Sequence, residues 1–162
     1  MKKISLVIVL LLVTLLLTGC ITRESSFQAY EEIEQISSVQ VYYFDASCYP
    51  EELDDSTQPI KIIEQDSYSE LINDLEQLTF EDVIPLFMPS DPRFNLYQFV
   101  IKINYKSGAY QLVQKSGTVY TFDASGDWLD DFHGGVDDEI WNELITKYIG
   151  EDLFNQHNTP LN

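Results

Sequence analysis

The sequence predicts a single α+β domain in which a mainly antiparallel sheet is packed by two amphipathic helices. Two segments, 67–78 and 137–149, repeat apolar residues at the three- and four-residue spacing of a helix. Three others, 95–105, 110–113 and 119–122, are rich in β-branched and aromatic residues and are separated by short turns that contain glycine. We therefore expect the second half of the chain to contain a three-stranded meander.

The first part of the domain is predicted to be a short helix followed by two strands. The sequence Ser25-Ser26-Phe27-Gln28 has the form of a capping box, and apolar residues recur three apart after it. This pattern predicts a helix over 26–37, with a disordered tether as the alternative. Strands are predicted over 39–44 and 60–64, separated by an acidic loop over 46–59 that contains two prolines.

The middle of the chain is predicted to contain a helix, a strand and an irregular segment. A second capping box, Ser67-Tyr68-Ser69-Glu70, begins the helix 67–78. Residues 79–84 are predicted to return as a strand. The segment 85–93 contains three prolines and is predicted to be irregular, because proline cannot donate a backbone hydrogen bond.

The first hairpin of the meander has a predicted register. A two-residue turn at Ser107-Gly108 would pair Tyr105 with Tyr110 and Ile103 with Leu112. This register keeps large apolar side chains opposite each other, which stabilises an antiparallel pair.

The C-terminal part is predicted to be a loop, a helix and a tail. Residues 123–136 are rich in Gly and Asp and are expected to form a loop. Asp137 is the expected N-cap of the helix that follows, and Gly150 suits its C-terminal end. The tail 151–162 is predicted to be weakly ordered.

The N-terminal residues have the pattern of a signal segment. Lys2 and Lys3 precede a 14-residue stretch, 4–17, that is apolar except for one Ser and one Thr. This stretch is shorter than the roughly 20 residues of a membrane-spanning helix and is typical of a signal peptide. It ends in Leu17-Thr18-Gly19-Cys20, which resembles the lipobox of bacterial lipoproteins.

The lipoprotein resemblance implies cleavage before Cys20 and a diacylglyceryl group on its thiol. The expected organisation is a signal peptide over 1–19, the lipidated Cys20 with a short tether over 20–25, and the α+β domain over 26–150. The protein would be anchored to the cell membrane and face outside the cytoplasm. The alternatives are an uncleaved anchor or a secreted soluble protein.

The charge of the chain excludes one class of partner. The 162 residues include 9 Lys and Arg against 27 Asp and Glu, a formal net charge of −18. A nucleic-acid-binding protein needs a basic surface that displaces counterions from phosphate, so no nucleic-acid partner is expected. Removal of the two leader lysines takes the mature chain to −20. Anionic headgroups would repel such a domain, so the lipid must hold it.

One acidic region is a candidate metal site. Asp123, Asp127, Asp130 and Asp131 supply the oxygen ligands that a hard cation such as Ca²⁺ prefers. The segment departs from a calcium-binding EF-hand loop, since glycine comes fourth rather than sixth and Gly134 stands where a bidentate Glu is required. A solvated loop next to a helix N-terminus is the alternative interpretation.

A second candidate site is apolar. Leu86, Phe87 and Met88 lie between Pro85 and Pro89, and such a stiff apolar segment would bind a partner if it were exposed. The alternative is that it covers an open sheet edge.

No catalytic residue is predicted, because the sequence contains no recognisable nucleophile, metal or phosphate motif. The leading hypothesis is a non-enzymatic, lipid-anchored binding module for an envelope or extracellular protein or peptide. The first alternative is a sensor that binds a divalent cation or small ligand through residues 123–139. The second is an envelope-acting hydrolase with a carboxylate beside His133 or a second acid.

Overall fold

A six-stranded antiparallel sheet forms the centre of the fold in the computed structural model, which describes residues 21–48, 53, 57–84, 96–115, 118–133 and 135–158. Numbered in chain order, its strands lie side by side as β3 (Lys61–Ile63), β2 (Ile36–Cys48), β5 (Leu96–Tyr105), β6 (Tyr110–Gln114), β7 (Thr118–Phe122) and β8 (Trp128–His133).

A two-stranded ribbon and three helices complete the described part of the chain. The ribbon pairs β1 (Ile21–Ser26) with β4 (Thr79–Ile84) in antiparallel orientation. The helices are α1 (Tyr68–Gln77), α2 (Asp138–Ile149) and α3 (Glu151–Asn158). The α+β class is therefore confirmed, whereas the expected packing by two helices is wrong because α3 is present as well.

The meander has four strands, β5 to β8, and not the three predicted. The prediction of a loop over 123–136 is wrong, because residues 123–127 alone form the turn that reverses the chain between β7 and β8. The Asp123 N–H donates to the Asp127 carbonyl at 2.9 Å, and Gly126 adopts a φ of 83°, which favours glycine. Residues 128–133 can then pair with β7 as the edge strand, a position in which acidic residues are tolerated.

The main core lies between the helices and one face of the sheet, here called the inner face. Helix α1 contributes Leu71 and Leu75, both fully buried, and α2 contributes Trp141, which is 1% exposed. From the sheet, every second residue of β5 joins them: Phe99, Ile101, Ile103 and Tyr105. This alternation follows from the two-residue period of a strand.

A second, smaller cluster lies on the opposite face of the sheet, here called the outer face. It consists of Tyr42, Leu53, Val100, Leu112, Tyr120 and Phe122, each no more than 8% exposed. The inner and outer clusters together bury apolar side chains on both faces of the central strands.

The predicted ends of α2 are confirmed, but the capping box of α1 is wrong. Asp137 Oδ1 accepts hydrogen bonds from the backbone N–H groups of the second and third residues after it, at 2.8 and 3.4 Å. Gly150 ends the helix with a φ of 89°. Ser67 makes no side-chain capping bond, because a 3-10 turn over Gln65–Ser67 leads directly into α1.

The helix expected over 26–37 is wrong as well. The structure has only a 3-10 turn over Ile33–Gln35, and β2 begins at Ile36. Contacts with the sheet hold the preceding residues in a non-helical conformation. The Tyr30 N–H donates to Tyr105 Oη, and Gln111 Nε2 donates to the Gln28 carbonyl. These distant hydrogen bonds replace those that a local helix would make.

The predicted hairpin register is wrong by one residue. The structure pairs Asn104 with Tyr110 and Lys102 with Leu112. The turn has three residues, 106–108, and its last, Gly108, has a φ of 95°. A three-residue hairpin with glycine in the left-handed conformation is a common arrangement, and it shifts the pairing relative to a two-residue turn.

Both ends of the described chain are more regular than expected. Residues 21–25, predicted as a tether, belong to β1. In the tail, Glu151–Asn158 form α3, where weak order was expected. Leu153 and Phe154 pack against the inner-face cluster, and this burial supplies the stabilisation that the polar tail sequence does not reveal.

Candidate functional site

A polar groove opens on the outer face of the sheet, over the neighbouring strands β3, β2 and β5. Its volume is about 430 Å³. The described residues that line it are Ser38, Gln40, Tyr42, Thr57, Gln58, Pro59, Ile62, Lys102 and Asn104. Ser, Gln, Asn, Tyr and Lys side chains supply both hydrogen-bond donors and acceptors.

The strand register brings these polar residues together. Ser38 pairs with Asn104 and Gln40 pairs with Lys102 across β2 and β5. Directly opposite residues of an antiparallel pair project from the same face. The alternating positions 38, 40 and 42 of β2 therefore form one wall with positions 102 and 104 of β5.

Hydrogen bonds within the groove join four of these side chains. Asn104 Nδ2 donates to Ser38 Oγ at 3.0 Å and to Gln40 Oε1 at 3.3 Å. Tyr42 Oη donates to the same Gln40 oxygen at 2.9 Å. Because two donors converge on this oxygen, the orientation of the Gln40 amide is set before any ligand arrives.

Lys102 gives the groove a positive charge. Its Nζ lies 4.8 Å from the centroid of the Tyr110 ring, a distance at which the ring face attracts a cation. Lys102 is the only charged residue among the described residues that line the groove. The local charge is thus opposite in sign to the net charge of the chain.

An aromatic cluster continues from the groove along the outer face. Tyr42 stacks on Phe44 with ring centroids 6.3 Å apart, and Tyr110 stacks on Phe122 at 4.7 Å. These contacts support Tyr110, whose ring lies beside Lys102, and Tyr42, whose hydroxyl donates to Gln40. The polar residues of the groove therefore lie next to a cluster of stacked aromatic rings.

The predicted metal ligands do not all come together at one loop. Asp123 Oδ1 accepts hydrogen bonds from the backbone N–H groups of Ser125 and Asp127, at 2.8 and 2.9 Å. The hydrogen bond from Asp127, followed by that from Ser125, outweighs the effect of desolvation and lowers the pKa of Asp123 below its usual 3.8. This carboxylate therefore already stabilises the turn.

The other two predicted ligands, Asp130 and Asp131, lie in β8. Their backbones pair with Thr121 and Tyr120 of β7. Within the described ranges, no group of three or more His, Cys, Asp or Glu side chains is placed to hold a metal ion. Calcium binding by this region remains a prediction.

The remaining predicted site residues have different positions. Cys20 and the apolar residues Leu86, Phe87 and Met88 lie outside the described residues. His133 is the last residue of β8 and pairs with Thr118. The involvement of His133 in hydrolysis remains a prediction.

The most strongly perturbed titratable groups join two helices. Lys147 Nζ of α2 lies 2.6 Å from Asp74 Oδ2 and 2.7 Å from Glu70 Oε1, both on α1. Tyr148 Oη also donates to Asp74 Oδ2, at 2.6 Å. Burial and the hydrogen bond to Asp74 both raise the pKa of Tyr148 above its usual 10. These groups crosslink α1 and α2, which is a structural role.

A buried polar network ties the N-terminal segment to the sheet. Tyr105 Oη donates to Gln111 Oε1 at 2.6 Å, and Gln111 Nε2 donates to Thr121 Oγ1 at 3.2 Å. Burial raises the pKa of Tyr105 to about 12, so its hydroxyl stays protonated. The network satisfies polar groups that would otherwise be costly to bury.

Sequence reasoning missed the groove although the signal was present. The pattern Ser38-x-Gln40-x-Tyr42 places polar groups at alternate positions of a strand, and Lys102-x-Asn104 repeats it. Because these segments are distant in the sequence, only the pairing of β2 with β5 reveals that they form one surface.

Comparisons with protein-family models, with curated proteins and with solved structures find no match for this chain. Of the helices in the described part, none has the length and apolar character needed to cross a bilayer.

Proposed function

We propose that this protein is a lipid-anchored, extracytoplasmic binding module without enzymatic activity, and that the polar groove over β2 and β5 on the outer face is its binding site. The anchor is proposed from the lipobox pattern Leu17-Thr18-Gly19-Cys20. The groove supports the binding role. The proposed ligand of the groove is a protein or peptide segment of the cell envelope.

The observation that carries the proposal is the preorganisation of the groove. Asn104, Gln40 and Tyr42 hold each other in place by hydrogen bonds of 2.9–3.3 Å. A ligand that meets fixed donors and acceptors does not have to order them, so less of its interaction energy is lost on binding. The geometry thus suits recognition by hydrogen bonding.

The charge of the groove favours one kind of ligand. Lys102 would attract a carboxylate, while the amides of Gln40 and Asn104 match the hydrogen-bonding groups of a peptide backbone. An extended peptide segment that carries a carboxylate combines both features. A strongly basic segment would instead be attracted to the acidic remainder of the surface.

Recovery of partners from detergent-solubilised membranes tests the binding site. The wild-type protein and the variant Asn73→Ala, which changes an exposed residue of α1, should recover the same partner. Asn104→Ala removes the donor shared by Ser38 and Gln40 and should weaken binding of that partner by roughly tenfold, the effect of one lost hydrogen-bonding group. Equal affinity of all three proteins would place the site elsewhere, and the absence of any partner under native conditions would contradict the binding role.

The anchor has its own test. Mass spectrometry of the native protein should find a diacylglyceryl group on an N-terminal Cys20. The variant Cys20→Ser should move from the membrane fraction to the soluble fraction, because two acyl chains are needed for stable anchoring. An intact leader, or an unmodified thiol on secreted protein, would rule out the anchor.

A further inference from the structure

We propose that the groove binds the C-terminal end of its partner, with the free α-carboxylate at Lys102 and an apolar side chain, three residues from the end, on Ile62. This inference rests on the proposed binding role of the groove and names the part of the partner that enters it. The bound segment lies across the strands, from the edge strand β3 over β2 to β5.

The first step is a row of three side chains on neighbouring strands. Ile62 of β3 pairs with Gln40 of β2, and Gln40 pairs with Lys102 of β5. All three line the groove, so they project from the same face of the sheet. Ile62 is 58% exposed, which leaves its apolar side chain accessible to a ligand. A ligand that lies across the strands therefore meets an apolar side chain, an amide and a cation in that order.

The second step is the closed end of this row. The next residue across the sheet, Leu112 of β6, pairs with Lys102 and is fully buried, and Tyr120 of β7 beyond it is 2% exposed. The neighbouring outer-face residue of β5, Val100, is fully buried as well. A chain that enters over Ile62 and runs straight across the strands therefore meets covered surface beyond Lys102. A carboxylate that reaches Lys102 in this way is the end of its chain.

The third step is the kind of hydrogen bond that the row offers. Gln40 Oε1 accepts hydrogen bonds from Asn104 Nδ2 and Tyr42 Oη, which use both lone pairs of a carbonyl oxygen. The part of the Gln40 amide that can bind a ligand is therefore Nε2, a donor. Paired residues of an antiparallel sheet lie about 5 Å apart, so Gln40 Nε2 and the Lys102 ammonium together suit the two oxygens of one carboxylate.

The fourth step is the spacing along the row. Neighbouring strands lie about 4.8 Å apart, so the two strand spacings from Ile62 to Lys102 amount to about 10 Å. Three residues of an extended peptide span the same distance at roughly 3.4 Å each. With the carboxylate at Lys102, the third residue from the C-terminus therefore lies at Ile62, where an apolar side chain removes apolar surface of both partners from water.

The charge of the chain favours a terminal carboxylate over an acidic segment. The net charge is −18, so the remainder of the surface repels a ligand that carries several acidic side chains. An uncharged segment that ends in its α-carboxylate carries one negative charge and places it at Lys102. Such a segment gains the attraction of the groove with little of the repulsion.

Two pools of random heptapeptides test the inference. They share the same sequences and differ only at the C-terminus, which is a free carboxylate in one pool and an amide in the other. Each pool is passed over the membrane-purified protein immobilised in detergent micelles, and retained peptides are sequenced by mass spectrometry. We expect roughly tenfold greater retention of the carboxylate pool, because a charge-assisted hydrogen bond is lost with the amide. Equal retention of the two pools would overturn the inference.

Charge variants identify the cation. Lys102→Met removes the charge and should lower retention of the carboxylate pool by roughly tenfold, to the level of the amide pool. Lys61→Met is the matched control, because Lys61 is an exposed lysine of β3 that precedes Ile62 and so faces away from the groove. It should leave retention unchanged. Equal effects of the two substitutions would overturn the inference, and Lys102→Gln is a second variant if Lys102→Met does not fold.

The sequences of the retained peptides test the position of Ile62. Leu, Ile, Val and Phe should be enriched at the third position from the C-terminus. Ile62→Ser, a substitution at an exposed residue, should remove this enrichment and keep the preference for the carboxylate. Enrichment that persists in Ile62→Ser would overturn the proposed placement of the bound segment.

The inference and the proposed function fail in different ways. Equal retention of both pools that is lost in Asn104→Ala contradicts only binding through the C-terminus. Retention that Asn104→Ala leaves unchanged contradicts the groove as the binding site. Retention of neither pool contradicts both.

Discussion

Asp74 joins two helices through a single carboxylate oxygen. Its Oδ2 accepts hydrogen bonds from Lys147 and Tyr148, both at 2.6 Å. Burial raises the pKa of Asp74, but these hydrogen bonds and the charge of Lys147 outweigh burial and leave the pKa below its usual 3.8. Since the carboxyl is 27% exposed, solvent screens part of the attraction.

Asp74→Asn should lower the free energy of unfolding by about 1 kcal/mol at neutral pH, because a neutral amide cannot accept the two hydrogen bonds as strongly. A lowered pKa stabilises the folded state above the unfolded pKa, and this contribution is lost as the pH falls through the folded value. The difference between wild type and variant should therefore shrink below about pH 3.8. Urea unfolding at neutral and acid pH measures it.

Glu76→Gln is the matched control, because Glu76 is an exposed acid on the same helix. It should change the unfolding free energy by no more than about 0.5 kcal/mol. If the effect of Asp74→Asn were the same at pH 7 and at pH 3, the charge of Asp74 would not be its cause.

Among elements, the β5–β6 hairpin depends on one glycine. Gly108 has a φ of 95°, and a Cβ at this position would lie 3.1 Å from the Ala124 Cβ. Gly126, in the β7–β8 turn, has a similar φ of 83°, but a Cβ there would meet nothing within 4 Å. A substitution at Gly126 would therefore carry only the conformational cost of a positive φ. A substitution at Gly108 would add a steric cost.

Gly126→Ala should destabilise the protein by about 1 kcal/mol, the cost of a left-handed conformation for an L-residue with a Cβ. Gly108→Ala should cost more, about 2 kcal/mol, because the contact with Ala124 adds to it. Thermal and urea unfolding of both variants provide the comparison. Equal losses would show that the β7–β8 turn moves to accommodate the added methyl group at no cost.

Helix α3 is held to the sheet by aromatic contacts. Phe154 stacks on Phe99 with ring centroids 5.3 Å apart, and His157 packs on Tyr43 at 4.7 Å. Phe154→Ala should lower the unfolding free energy by about 2 kcal/mol, less than for a fully buried phenylalanine because Phe154 is half-buried.

The exposed Gln156 on the same helix is the control for this substitution. Gln156→Ala should leave stability within about 0.5 kcal/mol of the wild type. If Phe154→Ala were equally neutral, α3 would not contribute to the folded core.

These elements also show which information the sequence holds. Helices α1 and α2 were predicted because their burial pattern follows a local period. Helix α3 was missed because it is stabilised by contacts with distant residues. Its two apolar residues pack on the core, and Phe154 stacks on Phe99, which lies 55 residues earlier. The hairpin register was missed by one residue because both a two- and a three-residue turn can place a glycine here, and the three-residue turn is seen only from the left-handed conformation of Gly108.

At the scale of the whole molecule, the excess of acidic residues opposes folding. The net charge of −18 brings like charges together when the chain becomes compact. The melting temperature should therefore rise by a few degrees as NaCl increases from about 10 to 150 mM, where the Debye length falls from roughly 30 to 8 Å. Calorimetry in NaCl and in KCl should agree. A decrease with salt would mean that the surface ion pairs outweigh the repulsion.

The candidate site was less accessible to sequence reasoning than the fold. Its residues come from β2, β5 and the loop before β3, so no local window contains them. Asp123, which the sequence singled out as a cation ligand, uses its Oδ1 to accept two backbone hydrogen bonds of a turn, and its role as a cation ligand remains a prediction. Residue type alone does not distinguish a carboxylate that binds a ligand from one that binds the backbone.

The pairing of β1 with β4 also determines how the domain bears mechanical load. A pull on the N-terminus is carried first by the six residue pairs from Ile21–Ile84 to Ser26–Thr79. The six-stranded sheet is a separate hydrogen-bonded ladder, and the chain reaches it from β1 through the segment that begins at Phe27. Tension applied at the N-terminus would therefore separate β1 from β4 before it loaded the strands around the groove. The ribbon would unfold first and leave the six-stranded sheet intact.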